Sequence, residues 1–115
     1  MVTRTQILVR GIVQGVGFRP YVYSLARRCV LRGRVFNNSS GVVIEVEGEA
    51  QAIEQFISDL AACPPPLALI ESVERSNDLF PANFGDFRII ESAVAAARAR
   101  IKAQASAGRM AASNG

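Results

Sequence analysis

Apolar and polar residues alternate near the start of the chain, and the period then changes. The segment from Ile7 to Val13 alternates with the period of two that is typical of a half-buried strand. Apolar residues then recur three and four positions apart, at Val22, Leu25, Ala26 and Cys29. This second spacing predicts an amphipathic helix that packs on one side only, and Gly33 marks the exit from it.

The next stretch has the pattern of a β-hairpin. Arg34 to Asn38 forms a short strand pattern, and the turn formers Asn37 to Gly41 follow it. Val42 to Glu47 alternates again, with Val42, Ile44 and Val46 on one face. Glu45 and Glu47 fall on the other face, which we therefore expect to be partly polar and directed to solvent.

The pattern then predicts a second helix and two further strands. Helical spacing resumes after Gly48-Glu49 with an apolar stripe at Ile53, Phe56, Ile57 and Leu60. The run Pro64 to Pro66 cannot continue a helix and marks its end. Strands are predicted at Leu69 to Arg75 and at Phe84 to Glu91, separated by the turn-rich residues 76–83.

The predicted order is β-α-β-β-α-β, with an additional edge strand. It favours an α/β (α+β) two-layer sandwich of the split βαβ, or ferredoxin-like, class, in which two helices cover one face of an antiparallel sheet. Residues 1–91 would form this domain. Residues 92–115 read as a separate C-terminal tail that is mobile or partly helical, because ten of the 24 are alanine and no wide apolar stripe is present.

Charge and composition narrow the possible functions. The net charge of +3 comes from the tail, since residues 1–91 carry nine basic and ten acidic side chains. A nucleic-acid partner is therefore not favoured, and only salt-dependent binding through the basic tail stays open as a weak alternative. No apolar run approaches the roughly 20 residues of a membrane span, and no apolar signal region precedes the first strand, so a cytoplasmic location is expected by default.

The two cysteines do not suggest a metal site or a disulfide framework. Cys29 and Cys63 are far apart in the sequence and lack a zinc-binding spacing. Cys29 lies on the apolar stripe of the first predicted helix and is expected to be a buried thiol.

Candidate chemistry is concentrated between the first strand and the first helix, in Gly11-Ile-Val-Gln-Gly-Val-Gly-Phe-Arg-Pro20. Glycines allow backbone N–H groups to surround an anion, and a helix N-terminus adds further N–H groups and partial positive charge. Arg19 adds a planar fork that matches phosphate oxygens, and Pro20 suits the first turn of a helix. The pattern predicts a phosphate site, unless the glycines serve only a tight turn. No Lys-Ser/Thr follows the last glycine, so this is not a Walker A loop.

The same residues carry a resemblance to a known family. Residues 11–19 are similar to the acylphosphatase signature G-x-V-Q-G-V-x-F-R at every fixed position. Residues 33–43 are similar to the second motif of that family, a strand that ends in the catalytic asparagine. Asn37 is in register with that asparagine and Asn38 falls one position later. The resemblance covers Ile7 to Glu91.

Within this superfamily the chain resembles the N-terminal domain of the hydrogenase-maturation carbamoyltransferases, the HypF family. Pro20-Tyr21-Val22 and the segment Cys63 to Glu74 are typical of that branch. Members of that family continue into zinc-finger-like modules and into domains that make and transfer a carbamoyl-adenylate. Those domains are not in this sequence, which corresponds either to a part of such a protein or to an independent small one.

The resemblance implies hydrolysis of a small acyl phosphate, with inorganic phosphate as a product and without a metal or other cofactor. Arg19 and the backbone N–H groups of Gln14, Gly15, Val16, Gly17 and Phe18 would hold the phosphoryl oxygens. Asn37 would orient the attacking water. A carboxylate leaving group departs without a general acid, which agrees with a chain that contains no histidine.

For the maturation branch, the implied substrate is carbamoyl phosphate, and the implied partners are carbamoyltransferase domains and hydrogenase maturation proteins. The alternative is a phosphate-binding or interaction module without turnover. Asn37 could serve only a turn, and Arg19 could pair with a surface carboxylate. Arg10 is expected to be solvated, Phe18 to lie in the core, and Ser39 and Ser40 to form the turn.

Overall fold

A computed structural model describes residues 2–91 of the chain. The predicted tail, residues 92–115, lies outside the described residues. The described part consists of five strands and two helices in the order β1 (Val2–Ile12), α1 (Phe18–Arg28), β2 (Arg32–Asn38), β3 (Gly41–Glu49), α2 (Ala50–Ala62), β4 (Leu69–Leu79) and β5 (Phe87–Ile89).

The strands form one sheet in the order β4-β1-β3-β2-β5. Every neighbouring pair is antiparallel except β2 and β5, which run parallel. The predicted fold class is therefore confirmed, and β5 is the additional edge strand. Several predicted boundaries were too narrow, since β1 starts at Val2 and β4 continues to Leu79.

Both helices pack on one face of the sheet and bury the two apolar stripes that their sequences display. From α1 the buried residues include Val22, Leu25 and Ala26, and α2 contributes Ile53, Phe56 and Leu60. They meet the inward side chains of the central strands, which are also completely buried: Ile7, Val9, Val35, Val42, Ile44 and Val46. This core aligns the end of β1 with the β2–β3 hairpin.

Helix α1 ends earlier than the sequence indicates. Gly33 was expected to mark the exit, but the helix stops at Arg28 and the left-handed residue after the cap is Val30, with φ of 58°. The N–H of Val30 donates to the carbonyl of Arg27, and the N–H of Leu31 donates to the carbonyl of Ala26. These two bonds form a Schellman cap with a β-branched residue where glycine is usual. Gly33 instead lies inside β2.

Cys29, at the C-cap of α1, was expected to be buried and is only partly so. Its side chain packs against the core, and both cysteines are free thiols. Burial raises the pKa of the Cys29 thiol, and the nearby Asp59 carboxylate adds to that increase. Cys63 is exposed.

The face of the sheet opposite the helices is less exposed to solvent than the alternation of β3 predicts. Glu45 and Glu47 lie on this face as predicted, but they are 7% and 1% exposed rather than directed to solvent. The Glu45 carboxylate accepts from Arg4 at 3.0 Å and from Arg34 at 2.9 Å. The Glu47 carboxylate accepts the backbone N–H groups of Asn83 and Phe84. The loop from Phe80 to Asp86 therefore folds over this end of the sheet.

None of the helices among residues 2–91 is long and apolar enough to cross a membrane.

Candidate functional site

The loop between β1 and α1 is fixed at both ends by buried side chains. Val13 and Phe18 are each 1% exposed, whereas Gln14, Gly15 and Gly17 between them are exposed. Phe18 is therefore a core residue whose backbone faces the site, and Val16 is half-buried against the same core. The apolar anchors hold the exposed peptide groups in one place.

The two inner glycines of this loop adopt a conformation that other residues avoid. Gly15 and Gly17 have φ of 75° and 80°, and Gly17 is the N-cap of α1. Within the described residues, no backbone N–H from Gln14 to Arg19 donates a hydrogen bond to the protein. Consecutive free N–H groups at a helix N-terminus are a ready binding site for an anion.

The side chain of Gln14 ties the loop to the hairpin. Its Nε2 donates to the carbonyl of Asn38 at 2.8 Å and to the carbonyl of Gly41 at 2.9 Å. Gln14 was predicted only through its backbone, so this bridging role of the side chain is an addition. These two hydrogen bonds hold the loop from Gln14 to Phe18 at a fixed distance from the β2–β3 turn.

The structure separates the roles of the two adjacent asparagines. Oδ1 of Asn38 accepts the N–H groups of Ser40 and Gly41 at 2.8 and 2.9 Å, so Asn38 closes the turn. Asn37 pairs with Val42 and faces the helix side of the sheet. Its Oδ1 is buried and has no hydrogen-bond partner among the described residues. Turn formation therefore does not account for Asn37.

Arg19 is half-buried in the first turn of α1, and one edge of its guanidinium is held by backbone. Its Nη1 donates to the carbonyl of Ile90 at 3.1 Å and also to the carbonyl of Glu91. In the part of the chain that the structure describes, no carboxylate pairs with Arg19, so the alternative of a surface ion pair is not supported. Nε and Nη2 make no hydrogen bond within residues 2–91.

The strand register brings these elements to one end of the sheet. Val9 on β1 pairs with Val42 on β3, which pairs with Asn37 on β2. The loop follows β1 at this end, and Gln14 joins it to the hairpin. The loop, Arg19 and Asn37 thus lie at the same end of the sheet.

Other residues considered in the sequence lie outside the site chemistry. Arg10 is exposed and its Nε donates to Glu74 at 2.9 Å. Ser39 and Ser40 are exposed turn residues. The contacts of Arg19 with the carbonyls of Ile90 and Glu91 were not predicted from the sequence. The carbonyls are backbone atoms, so no side-chain pattern could have indicated them.

The family model for Acylphosphatase matches residues 5–89. The chain therefore belongs to the acylphosphatase family, and its class is that of phosphohydrolases that act on acyl phosphates. An acylphosphatase from Dehalococcoides mccartyi is 40% identical over 84 residues, which cover 71% of this chain and 91% of that protein. The crystal structure of acylphosphatase from Bacillus subtilis superposes with a TM-score of 0.72 at 30% identity, covering 78% of this chain and 99% of that one.

Among its relatives, the chain is similar to the N-terminal region of a particular larger protein. The carbamoyltransferase HypF of Rhizobium leguminosarum bv. viciae is 44% identical over 104 residues, which cover 90% of this chain but 13% of HypF. Full-length HypF, crystallised in a phosphate- and nucleotide-bound form, superposes with a TM-score of 0.76 at 41% identity and covers 81% of this chain and 12% of its own. The chain thus spans about an eighth of the length of these relatives.

Proposed function

We propose that the loop from Gln14 to Phe18, together with Arg19 and Asn37, binds and hydrolyses a small acyl phosphate, and that carbamoyl phosphate is the substrate. The observation that carries this proposal is the buried, unpartnered Oδ1 of Asn37, at the end of the sheet that holds the free N–H groups of the loop. A buried polar atom without a partner costs about 1–3 kcal/mol, so a functional reason for keeping it is expected.

Phosphoryl binding is assigned to the loop and to Arg19. Free backbone N–H groups from Gln14 to Phe18 donate to the phosphoryl oxygens, and the helix N-terminus favours their negative charge. The Nε and Nη2 atoms of Arg19 form a planar edge that can contact two oxygens at once. These groups stabilise the charge of a loose, in-line phosphoryl transfer.

Asn37 is assigned to the attacking water. Its amide oxygen accepts a hydrogen bond from that water and orients the lone pair of the water oxygen toward phosphorus, in line with the leaving carboxylate. The new P–O bond forms as the bond between phosphorus and the acyl oxygen breaks. The carboxylate leaves unprotonated, and the proton of the water passes to a phosphoryl oxygen, so the protein need not supply a general base.

Similarity to HypF supports the choice of carbamoyl phosphate, since carbamoyltransferase relatives match this chain at 41–44% identity. In this proposal the chain acts as the N-terminal domain, or a fragment, of a hydrogenase-maturation carbamoyltransferase. It releases carbamate and phosphate for carbamoyltransferase domains and hydrogenase maturation proteins. Carbamoyl transfer itself is not assigned to this chain. We place this activity in the cytoplasm, where free thiols such as Cys29 and Cys63 are usual.

A comparison of leaving groups tests this proposal. The purified chain should release phosphate from carbamoyl phosphate and acetyl phosphate, but not from an alkyl phosphate ester of similar size. The ester has a poor leaving group that needs a general acid, and the chain has no histidine to act as one. Phosphate binding without turnover of either acyl phosphate would instead support a non-catalytic binding module.

A further inference from the structure

The two residues that follow β5, Ile90 and Glu91, contact both halves of the proposed site; we call them the exit segment. The backbone N–H of Ile90 donates to the carbonyl of Val35 at 2.8 Å. The backbone carbonyls of Ile90 and Glu91 both accept from Nη1 of Arg19. A single stretch of backbone therefore bonds to β2 on one side and to the arginine on the other.

Sheet topology explains this arrangement. Strand β5 runs parallel to β2, with Gly33 paired with Phe87 and Val35 with Ile89. The chain therefore leaves β5 at the end of β2 where Asn37 lies, two residues after Val35. The exit segment fixes the arginine relative to the strand that carries the asparagine.

The contacts also limit which edge of the guanidinium remains available. Arginine has five N–H donors, and Nη1 contributes two of them. Two carbonyl acceptors can engage both, which leaves the edge formed by Nε and Nη2 for a ligand. A guanidinium that is already fixed loses less side-chain entropy when it binds an anion.

We propose that the exit segment is a positioning element of the active site, which holds Arg19 through Nη1 and presents its Nε–Nη2 edge to the phosphoryl group. This inference rests on the proposed function and extends it. Its consequence is that a displacement of the backbone at Ile90 and Glu91 changes the position of Arg19.

Substitution of the exit segment tests this role in the full chain. Ile90→Pro removes the N–H that bonds to Val35 and should shift both carbonyls, because proline cannot donate. We expect kcat/KM for acetyl phosphate to fall by about tenfold or more, since small misplacements of a positioning group carry large rate penalties. The matched control, Arg88→Ala, changes an exposed side chain of β5 that does not contact Arg19 and should retain wild-type kcat/KM. A folded Ile90→Pro variant with wild-type kcat/KM would overturn the proposal.

A second measurement does not depend on turnover or on a variant that folds. In the NMR spectrum of the wild-type chain, the Nη1 protons of Arg19 should be resolved and slow to exchange, because two carbonyls hold them. Arg19 guanidinium signals that exchange as fast as those of the exposed Arg88 would overturn the proposal. If the wild-type chain hydrolyses no acyl phosphate but the Arg19 protons are protected, the proposed function fails and the contact stands.

Discussion

At the scale of single residues, Asn37 and Asn38 differ in what their side chains contact. Asn38 satisfies two backbone N–H groups of the turn, whereas Oδ1 of Asn37 is buried without a partner within residues 2–91. Because identical side chains occupy adjacent positions, substituting each in turn separates the chemistry of the site from the stability of the hairpin.

Asn37→Ala should lower kcat for acetyl phosphate by about 100-fold, within the range found when a polar group that acts in the transition state is removed. The affinity for inorganic phosphate should change far less, because the loop and Arg19 carry binding. Steady-state kinetics and phosphate titration measure the two effects. Asn38→Ala should keep kcat near wild type but cost about 1 kcal/mol of stability through the lost turn bonds. An equal loss of kcat in both variants would contradict the assignment of Asn37.

Val30 has an unusual backbone conformation. It is 84% exposed and lies in the left-handed region, where a side chain with a Cβ costs about 1–2 kcal/mol. Val30→Gly should therefore raise the free energy of unfolding by about 1 kcal/mol in urea titrations. Val30→Ala retains a Cβ, so it should raise the free energy of unfolding by less than Val30→Gly does. A glycine variant no more stable than wild type would show that the cap is not strained.

At the scale of elements, the loop from Phe80 to Asp86 is held down by a buried carboxylate. Glu47 reaches it from β3 and accepts the N–H groups of Asn83 and Phe84 at 3.1 and 3.2 Å. Arg34 adds to this contact, since its guanidinium lies over the rings of Phe36 and Phe84.

Glu47→Ala should destabilise the fold by about 3 kcal/mol, because two N–H groups lose a charged acceptor beneath the loop. Glu47→Gln keeps an acceptor oxygen and should lose less. The exposed Glu71 on β4 provides the matched control, and its replacement by alanine should change the free energy of unfolding by less than about 0.5 kcal/mol. Chemical denaturation measures all three variants. Similar losses at Glu47 and Glu71 would contradict a structural role for the buried carboxylate.

The elements that could be predicted from sequence are those with a clear local signal. Alternation in β1 and β3, helical spacing in both helices and the turn formers between β2 and β3 are local properties, and the structure has a strand, a helix or a turn at each of these places. The burial of Glu47 and the left-handed conformation of Val30 after α1 could not be predicted. Burial of Glu47 depends on a loop 36 residues away, and the cap at Val30 places a residue in a conformation that its own preference opposes.

The candidate site shows the same division between local and distant information. The loop from Gln14 to Phe18 and Asn37 could be proposed from the sequence because their residue types suit phosphate chemistry, and their roles stay predictions. The contact of Arg19 with the carbonyls of Ile90 and Glu91 spans 71 and 72 residues and involves backbone atoms, which every residue has. Such a contact becomes visible only when the parallel pairing of β5 with β2 is known.

At the scale of the whole molecule, the chain is similar both to free acylphosphatases and to the N-terminal region of HypF. It covers 91% of the Dehalococcoides mccartyi acylphosphatase but 13% of the Rhizobium leguminosarum HypF. The region that matches this chain is thus nearly the whole of the first relative and a small part of the second. In either context, the proposed function requires the loop from Gln14 to Phe18, Arg19 and Asn37 to act as one hydrolytic site.

The most direct test of that claim is the hydrolysis of benzoyl phosphate by the purified wild-type chain and by its Arg19→Ala variant, measured side by side. We expect clear turnover by the wild type. We expect a loss of about 100- to 1,000-fold in the variant, which takes the rate below detection, because the positive charge that Arg19 directs at the phosphoryl group is gone. Near-wild-type hydrolysis by a folded Arg19→Ala variant would contradict the assignment of the active site.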